Sequence, residues 1–226
     1  MDMTGTQVKA ARERLGLTQQ QAARRWRLSQ TYVSFVEQDK RPVPDRLAHL
    51  LARAEPQMAT GLPRNASQAS PDELPRLLGA LQYPGFAYLG APRDVANPAA
   101  VMLLALRAPV VPARVTEALP WLLVTYADLA WDWLLDQAKL ANVQNRLGYL
   151  VDLAKQVAEQ RGQAEAVARL VEVAGELEDA RLAKEDTLGR GLTDVERQHL
   201  RTHRSPRAAH WNLLTSLRVE DLRYGL

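Results

Sequence analysis

The sequence predicts an all-α fold with a small N-terminal helical domain and a larger C-terminal helical domain. Apolar residues recur at the three- and four-residue spacing of a helix that buries one face. Capping boxes, in which a Ser or Thr is followed three residues later by Gln or Glu, mark helix starts at Thr18–Gln21, Ser70–Glu73 and Thr193–Glu196. No segment alternates apolar and polar residues convincingly, as a half-buried strand does.

The first 54 residues predict several short helices. Val8 and Ala11 have helical spacing, Ser29 is a good N-cap, and Pro44 can begin a helix that runs to about Ala54. Residues 1–54 carry a net charge of +5, whereas residues 55–226 carry −2. A basic piece joined to a slightly acidic one suggests that the basic piece meets a polyanion.

Residues 55–71 are rich in Pro, Gly, Asn and Ser, so we expect a linker there. Residues 72–226 then form the larger helical domain, and the sequence leaves open whether this is one domain or two. Asn97 is expected to begin one helix and Pro112 another, which Pro120 should kink or end.

After Pro120 the predicted helices are longer. The apolar row predicts one helix from Trp131 to about Gln160 and a second over residues 164–184. Gly162 separates them, which favours an antiparallel pair. Ser205 is expected to begin a last helix that continues through Leu214.

Three clusters in this domain have more than one interpretation. An aromatic cluster is expected in the core, with a subunit interface or a ligand pocket as alternatives: Trp121, Tyr126, Trp131 and Trp133. A polar cluster is either a hydrogen-bond network between helices or a partner contact: Asn142, Gln144, Asn145 and Arg146. The acidic stretch over residues 165–186 is a solvated face or a surface for a basic partner.

Composition and motifs exclude several function classes. The absence of cysteine excludes disulfides, thiolate metal sites and cysteine nucleophiles. His199 and His203 share a helix face, but Leu200 stands where a zinc protease has its glutamate, so we expect no metal and no cofactor. No phosphate-binding loop, dinucleotide motif or serine-hydrolase motif occurs, so we expect no enzyme.

Neither a membrane helix nor a secretory signal is expected. No apolar run reaches about 18 residues. The first residues are not basic and no apolar block follows them. The expected location is the cytoplasm.

Residues 18–42 resemble the λ-repressor-like helix-turn-helix of the XRE, or Cro/cI, type. Ala23 is the small residue where two helices cross, and Ser29 is the N-cap of the second helix. The crossing is closed by apolar residues, namely Trp26, Leu28, Val33 and Val36. The resemblance covers residues 6–54 and has departures: Arg27 replaces a usual turn glycine, so the turn is either strained or differently shaped, and Gln38-Asp39 replaces a usual Asn-Gly.

The resemblance implies a set of DNA contacts. The residues expected to reach bases in the major groove are Gln19, Gln30, Thr31, Ser34 and Phe35. The residues expected to contact phosphates are Ser29, Tyr32, Lys40 and Arg41. Arg12 and Glu37 occupy positions that pair in the family, and we interpret that pair as structural.

The implied function is a sequence-specific transcriptional regulator of double-stranded DNA. We expect a repressor that acts as a homodimer on an inverted repeat, with residues 72–226 dimerising, binding an effector, or both. One alternative is an antitoxin-like subunit that neutralises a toxin through residues 72–226, because segments 119–122 and 145–148 resemble regulators that accompany nucleotidyltransferase-type toxins. A second alternative is a regulator that responds to a small molecule.

Overall fold

A computed structural model describes residues 3–14, 17–54, 70–89 and 97–222. The chain divides into two compact units, Met1–Gln57 and Met58–Leu226, and each has its own hydrophobic core. The helices of the first unit are α1 (Gly5–Arg14), α2 (Gln19–Trp26), α3 (Gln30–Glu37) and α4 (Asp45–Ala54).

The second unit is also helical, so the prediction of an all-α fold is confirmed. Its helices are α5 (Leu74–Ala80), α6 (Pro98–Arg107), α7 (Ala113–Thr125), α8 (Trp131–Leu140), α9 (Gln144–Gln160), α10 (Ala164–Asp179), α11 (Asp194–His203) and α12 (Pro206–His210). Short 3₁₀ segments lie at Pro71–Glu73, Pro84–Leu89 and Val219–Asp221. Two strands of two residues each, β1 (Asp186–Thr187) and β2 (Leu213–Leu214), pair in parallel.

The helix starts predicted from capping residues are present. Thr18 and Thr193 each accept the amide of the third helical residue, and Asn97 accepts the amide of Ala99. The Ser70 capping box opens a 3₁₀ segment that leads into α5. Of the predicted linker, residues 55–69 lie outside the described residues.

The predicted long helix from Trp131 to Gln160 is wrong, because the chain breaks between α8 and α9. Asn142 takes a left-handed conformation with φ 56°, and the Val143 amide turns back to the Ala138 carbonyl. Asn and Asp tolerate this conformation better than other residues with a Cβ. The polar residues that interrupt the apolar row therefore mark a helix boundary.

The polar cluster at this boundary binds a distant part of the chain. Asn145 donates to the Leu182 carbonyl and accepts the Leu182 amide, both at 2.8 Å. Gln144 donates to the Ala180 carbonyl at 3.1 Å. These bonds satisfy main-chain groups after α10, which ends at Asp179 instead of continuing to residue 184 as predicted. Gln144 and Asn145 thus form a hydrogen-bond network within the fold, as predicted, but their partners follow α10 and do not lie on a helix.

Two other predicted helix ends also differ. The helix begun by Ser205 ends at His210, short of Leu214, because Asn212 takes φ 53° and the next two residues pair with β1. Of the two outcomes predicted for Pro120, ending the helix is wrong, since α7 continues to Thr125. The proline is buried in the core, where packing offsets the hydrogen bond it cannot donate.

Helix α9 lies at the centre of the second core and packs against α7, α10 and α12. Gly148 gives room to the Trp211 ring, since a Cβ there would lie 2.4 Å from a ring carbon. The Trp211 indole donates to Asp152 at 2.8 Å. Trp121 and Trp131 are each 2% exposed, so these members of the aromatic cluster belong to the core.

Candidate nucleic-acid interface

The first unit fixes one face of α3 and leaves the other open. Val33 and Val36 of α3 pack against α1, α2 and α4 in a small core. The remaining buried residues of that core are Val8, Ala11, Ala22, Ala23, Trp26, Leu47 and Leu51. Ala23 is fully packed at the α2–α3 crossing, as its small side chain predicts.

The turn between α2 and α3 keeps its backbone shape without the glycine. Arg27 adopts a left-handed conformation with φ 56° and ψ 47°, and the Leu28 amide donates to the Ala23 carbonyl at 2.9 Å. This bond pattern is that of a Schellman cap, which normally has glycine at its left-handed position. Of the two outcomes predicted for this turn, the structure shows the strained one, at a cost of about 1–2 kcal/mol.

A second left-handed residue ends α3. Asp39 has φ 55°, and the Lys40 amide donates to the Phe35 carbonyl at 2.9 Å. The Asp39 carboxylate also accepts the Gly5 amide at 2.7 Å, which ties the start of α1 to the end of α3. Gly5 is required by this close approach, because a Cβ would lie 1.9 Å from the Val36 carbonyl oxygen.

The hydrogen bond from the Gly5 amide to the Asp39 carboxylate, called the Gly5–Asp39 clamp below, was not predicted from the sequence. Asp39 stood out in the sequence only as a departure from the usual Asn-Gly. The available signal was that Asp, like Asn, can occupy a left-handed position and has a side chain that caps a nearby amide.

A buried carboxylate joins the first three helices. Glu37, which is 8% exposed, accepts Arg12 Nε at 2.5 Å and Arg12 Nη2 at 3.2 Å. Arg12 also donates to the Leu17 carbonyl at 2.9 Å. Gln19 Nε2 donates to the second Glu37 oxygen at 2.9 Å. Both oxygens of a buried charge are therefore satisfied, as such a charge requires.

This network shifts the pKa values of both charged groups. Burial on its own raises the pKa of Glu37, but the hydrogen bonds from Arg12 and Gln19 and the charges of Arg12 and Lys9 outweigh it. The pKa of Glu37 therefore lies below its ordinary value. The hydrogen bond to Glu37 raises the pKa of Arg12. The pair stays ionised at neutral pH.

The outer face of α3 carries the side chains predicted to reach bases. Gln30 and Thr31 are exposed, Phe35 is 41% exposed, and Ser34 is half-buried. Ser34 Oγ accepts Gln38 Nε2 at 3.2 Å, so Gln38 lies on the same line of the helix as Gln30 and Ser34. Gln19 differs from this group, because it is half-buried and its amide is held by Glu37.

The predicted phosphate contacts lie around the two ends of α3. Ser29 caps the N-terminus by accepting the Tyr32 amide at 3.1 Å, and Tyr32 is half-buried against the core. Lys40 and Arg41 are exposed just beyond the C-terminus. The structure places these four residues and the α3 outer face on the same small domain.

The first unit also carries exposed positive charge. Among the side chains of this unit that the structure describes, the exposed cations are Lys9, Arg24, Arg25, Arg27, Lys40, Arg41 and Arg46. Within the described part of this unit, ion pairs are formed by Arg12 alone. The exposed guanidinium and ammonium groups are therefore available to a polyanion.

The described residues give three further findings. They contain no group of three or more His, Asp or Glu side chains arranged to hold a metal ion. None of their helices is both long enough and apolar enough to cross a membrane. His199 and His203 stack on each other with ring centroids 4.1 Å apart.

Residues 5–55 match a family model described as a helix-turn-helix domain. The match spans α1 to α4 and covers less than a quarter of the chain. It confirms the resemblance drawn from the residues of α2 and α3, and it points to a regulator. No curated protein and no solved structure matches the chain.

The strained turn predicts an unusual order of stability. In a fragment of residues 1–57, the free energy of unfolding should be about 1 kcal/mol higher for the Arg27→Gly variant than for Arg27→Ala. The reason is that only glycine adopts the left-handed conformation without cost. Urea unfolding followed by the fluorescence of Trp26, the unit's single tryptophan, measures the difference. The matched control is Arg24, inside α2, where Gly should be less stable than Ala by about 1 kcal/mol. If Ala were more stable than Gly at both positions, the turn at Arg27 would not be strained.

The buried pair predicts a pH-dependent loss of stability. Arg12→Met should destabilise residues 1–57 by about 3 kcal/mol at pH 7, because it leaves a buried carboxylate without its cation. The stability from the lowered Glu37 pKa is complete above its ordinary value of 4.5 and is lost as the pH falls through the folded-state value. The deficit of the variant should therefore shrink below pH 4.5 in urea unfolding. A deficit that does not change with pH would show that packing, and not charge, accounts for the loss.

Proposed function

We propose that this chain is a sequence-specific transcriptional regulator whose helix-turn-helix domain inserts the outer face of α3 into the major groove of duplex DNA. The observation that carries the proposal is the division of α3 into two faces. Val33, Val36 and Glu37 anchor one face, while Gln30, Thr31 and Phe35 project from the other. A helix held rigidly on one side can present polar and methyl-contacting side chains to base edges.

Each outer side chain has a contact suited to its chemistry. Gln30 can bind adenine with both ends of its carboxamide, which is the usual glutamine contact. Thr31 and Phe35 can meet the methyl group of thymine, and Ser34 can bind either kind of base edge. Gln19 has one end of its carboxamide on Glu37, so we propose that the other end faces the DNA.

Phosphate contacts then fix the register of α3. We propose that Ser29, Tyr32, Lys40 and Arg41 bind the backbone on either side of the groove. Such contacts orient the domain without reading sequence. The exposed cations of the first unit support this role, since neutralising phosphates dominates the affinity of most DNA-binding domains.

We further propose that the regulator acts as a homodimer and as a repressor, in the cytoplasm. A single helix-turn-helix domain buries little surface on DNA, and two linked domains gain affinity by reading two half-sites. The family match supports a regulator more than an enzyme. A dimer on an inverted repeat would block a promoter by occupying it.

Selection of bound duplexes from a random library, with the full-length chain at fixed salt, tests this proposal. We expect an enriched inverted repeat whose half-sites are about one helical turn, roughly 10 base pairs, apart. Enrichment of a single half-site would contradict action as a dimer, but it would leave sequence-specific binding by the helix-turn-helix domain in place. Binding that is sequence-blind, or absent, would contradict the proposed function itself.

Two substitutions should separate base contacts from phosphate contacts on the selected duplex. Gln30→Ala should cost about 1–3 kcal/mol and relax the preference at one position of each half-site. Arg41→Ala should weaken all sequences alike and reduce the slope of log affinity against log salt by about one. Arg114→Ala, an exposed arginine of the second unit, is the control and should change neither quantity. A uniform loss for Gln30→Ala would show that another residue reads that base.

A further inference from the structure

The second unit contains a cavity of about 480 Å³ beside α9. The function proposed above gives this cavity no role. Tyr149, Leu153 and Val219 form an apolar wall. Three arginines, Arg204, Arg207 and Arg218, line the same cavity, against a single carboxylate, Glu220. The remaining lining residues are Gln156, Ser205 and Pro206.

Within the described part of the chain, none of the three guanidinium groups forms an ion pair. Among the described residues, no carboxylate lies within 4.0 Å of Arg204, Arg207 or Arg218. Arg204 donates from Nη1 to the Leu213 carbonyl at 3.1 Å, but its buried Nε has no acceptor within the described part of the chain. A buried donor without an acceptor is costly, so its presence needs an explanation.

The cavity is positive where the arginines meet its apolar wall. Tyr149, at the base of the wall, donates its hydroxyl to the Leu217 carbonyl. Burial and the charge of Asp221 raise the pKa of Tyr149 above its ordinary value, while the hydrogen bond with Ser205 and the charges of Arg218 and Arg207 act to lower it. Those two arginines are thus close enough to act on the wall itself, although they come from separate segments of the chain.

A second cavity of about 440 Å³ shows the contrast. It is lined by Arg107, Arg146 and Lys184, but Arg146 is bound by Asp186 through two hydrogen bonds of 2.6 and 2.7 Å. The third guanidinium nitrogen of Arg146, Nη1, donates to the Leu106 carbonyl at 2.6 Å. Arg146 therefore serves the fold, whereas Arg207 and Arg218 of the first cavity form no ion pair among the described residues.

We propose that the cavity beside α9 binds a small organic anion, with a carboxylate or phosphate group against the three arginines and an apolar body against Tyr149 and Leu153. Arginine suits this role because its planar fork donates two parallel hydrogen bonds to an oxyanion. The bound anion supplies an acceptor for the guanidinium of Arg204. The site makes the second unit a receptor for an anionic effector.

Isothermal titration of the full-length chain at constant ionic strength tests the site. The probes are phenyl phosphate, phenylacetate, inorganic phosphate and the neutral benzyl alcohol. We expect one saturable site per chain for at least one aromatic anion, tighter binding of that anion than of inorganic phosphate, and no binding of benzyl alcohol. Whichever aromatic anion binds more tightly identifies the charged group as phosphate or carboxylate.

Substitutions locate the site on the chain. Arg207→Gln and Arg218→Gln should each weaken binding about tenfold, since each removes a charge-assisted contact from the cavity. Both side chains are exposed, so the variants should fold, and thermal unfolding checks this. Arg114→Gln is the matched control outside the cavity and should bind like the unchanged chain.

Two outcomes would overturn the proposal. One is the absence of saturable binding by both aromatic anions. The other is equal affinity in the two cavity variants and the Arg114 control. Neither variant alters the helix-turn-helix domain, so this test is separate from the test of DNA binding.

Discussion

The buried carboxylate of Glu37 is the constraint on which the proposed DNA-binding face depends. It lies on the inner side of α3, where Arg12 of α1 donates to both of its oxygens and Gln19 of α2 donates to one of them. A buried charge tolerates little displacement of its partners, because losing one leaves an unpaired charge in the core. The network therefore fixes the rotation of α3, and this rotation decides which side chains face outward.

Much of this domain is predictable from sequence because its signals are local. The capping residues Thr18 and Ser29, the small Ala23 and the apolar spacing of Val33 and Val36 all act within a few residues of themselves. The Arg12–Glu37 pair came from the family resemblance, which supplied a contact between residues far apart in sequence. The local signal of the Gly5–Asp39 clamp is limited to the tolerance of Asp for a left-handed position, and its partner Gly5 is fixed only when α1 meets the end of α3.

The second unit was less predictable because its boundaries are set by distant hydrogen bonds. The apolar spacing continues through Asn142, yet the helix breaks there. Asn145 then binds both the carbonyl and the amide of Leu182, which follows α10. The last helix stops at His210 because Leu213 pairs with Asp186 across the fold. Helix starts were predicted better than helix ends, since N-caps are read from adjacent side chains and these ends depend on tertiary partners.

Arg27 and Asp39, which flank α3, adopt left-handed conformations although each has a Cβ. For each residue, a different role of the side chain can offset the free-energy cost of this conformation. The Asp39 carboxylate accepts a hydrogen bond from the Gly5 amide, and this bond stabilises the folded domain against the cost of the left-handed backbone. Arg27 makes no such bond among the described residues, and its side chain is exposed beside α3. A glycine there would relieve the strain but would remove a positive charge from the face proposed to meet DNA. We propose that DNA binding offsets the strain at Arg27, since a cation adjacent to the groove would raise affinity for phosphate without adding to the stability of the free domain.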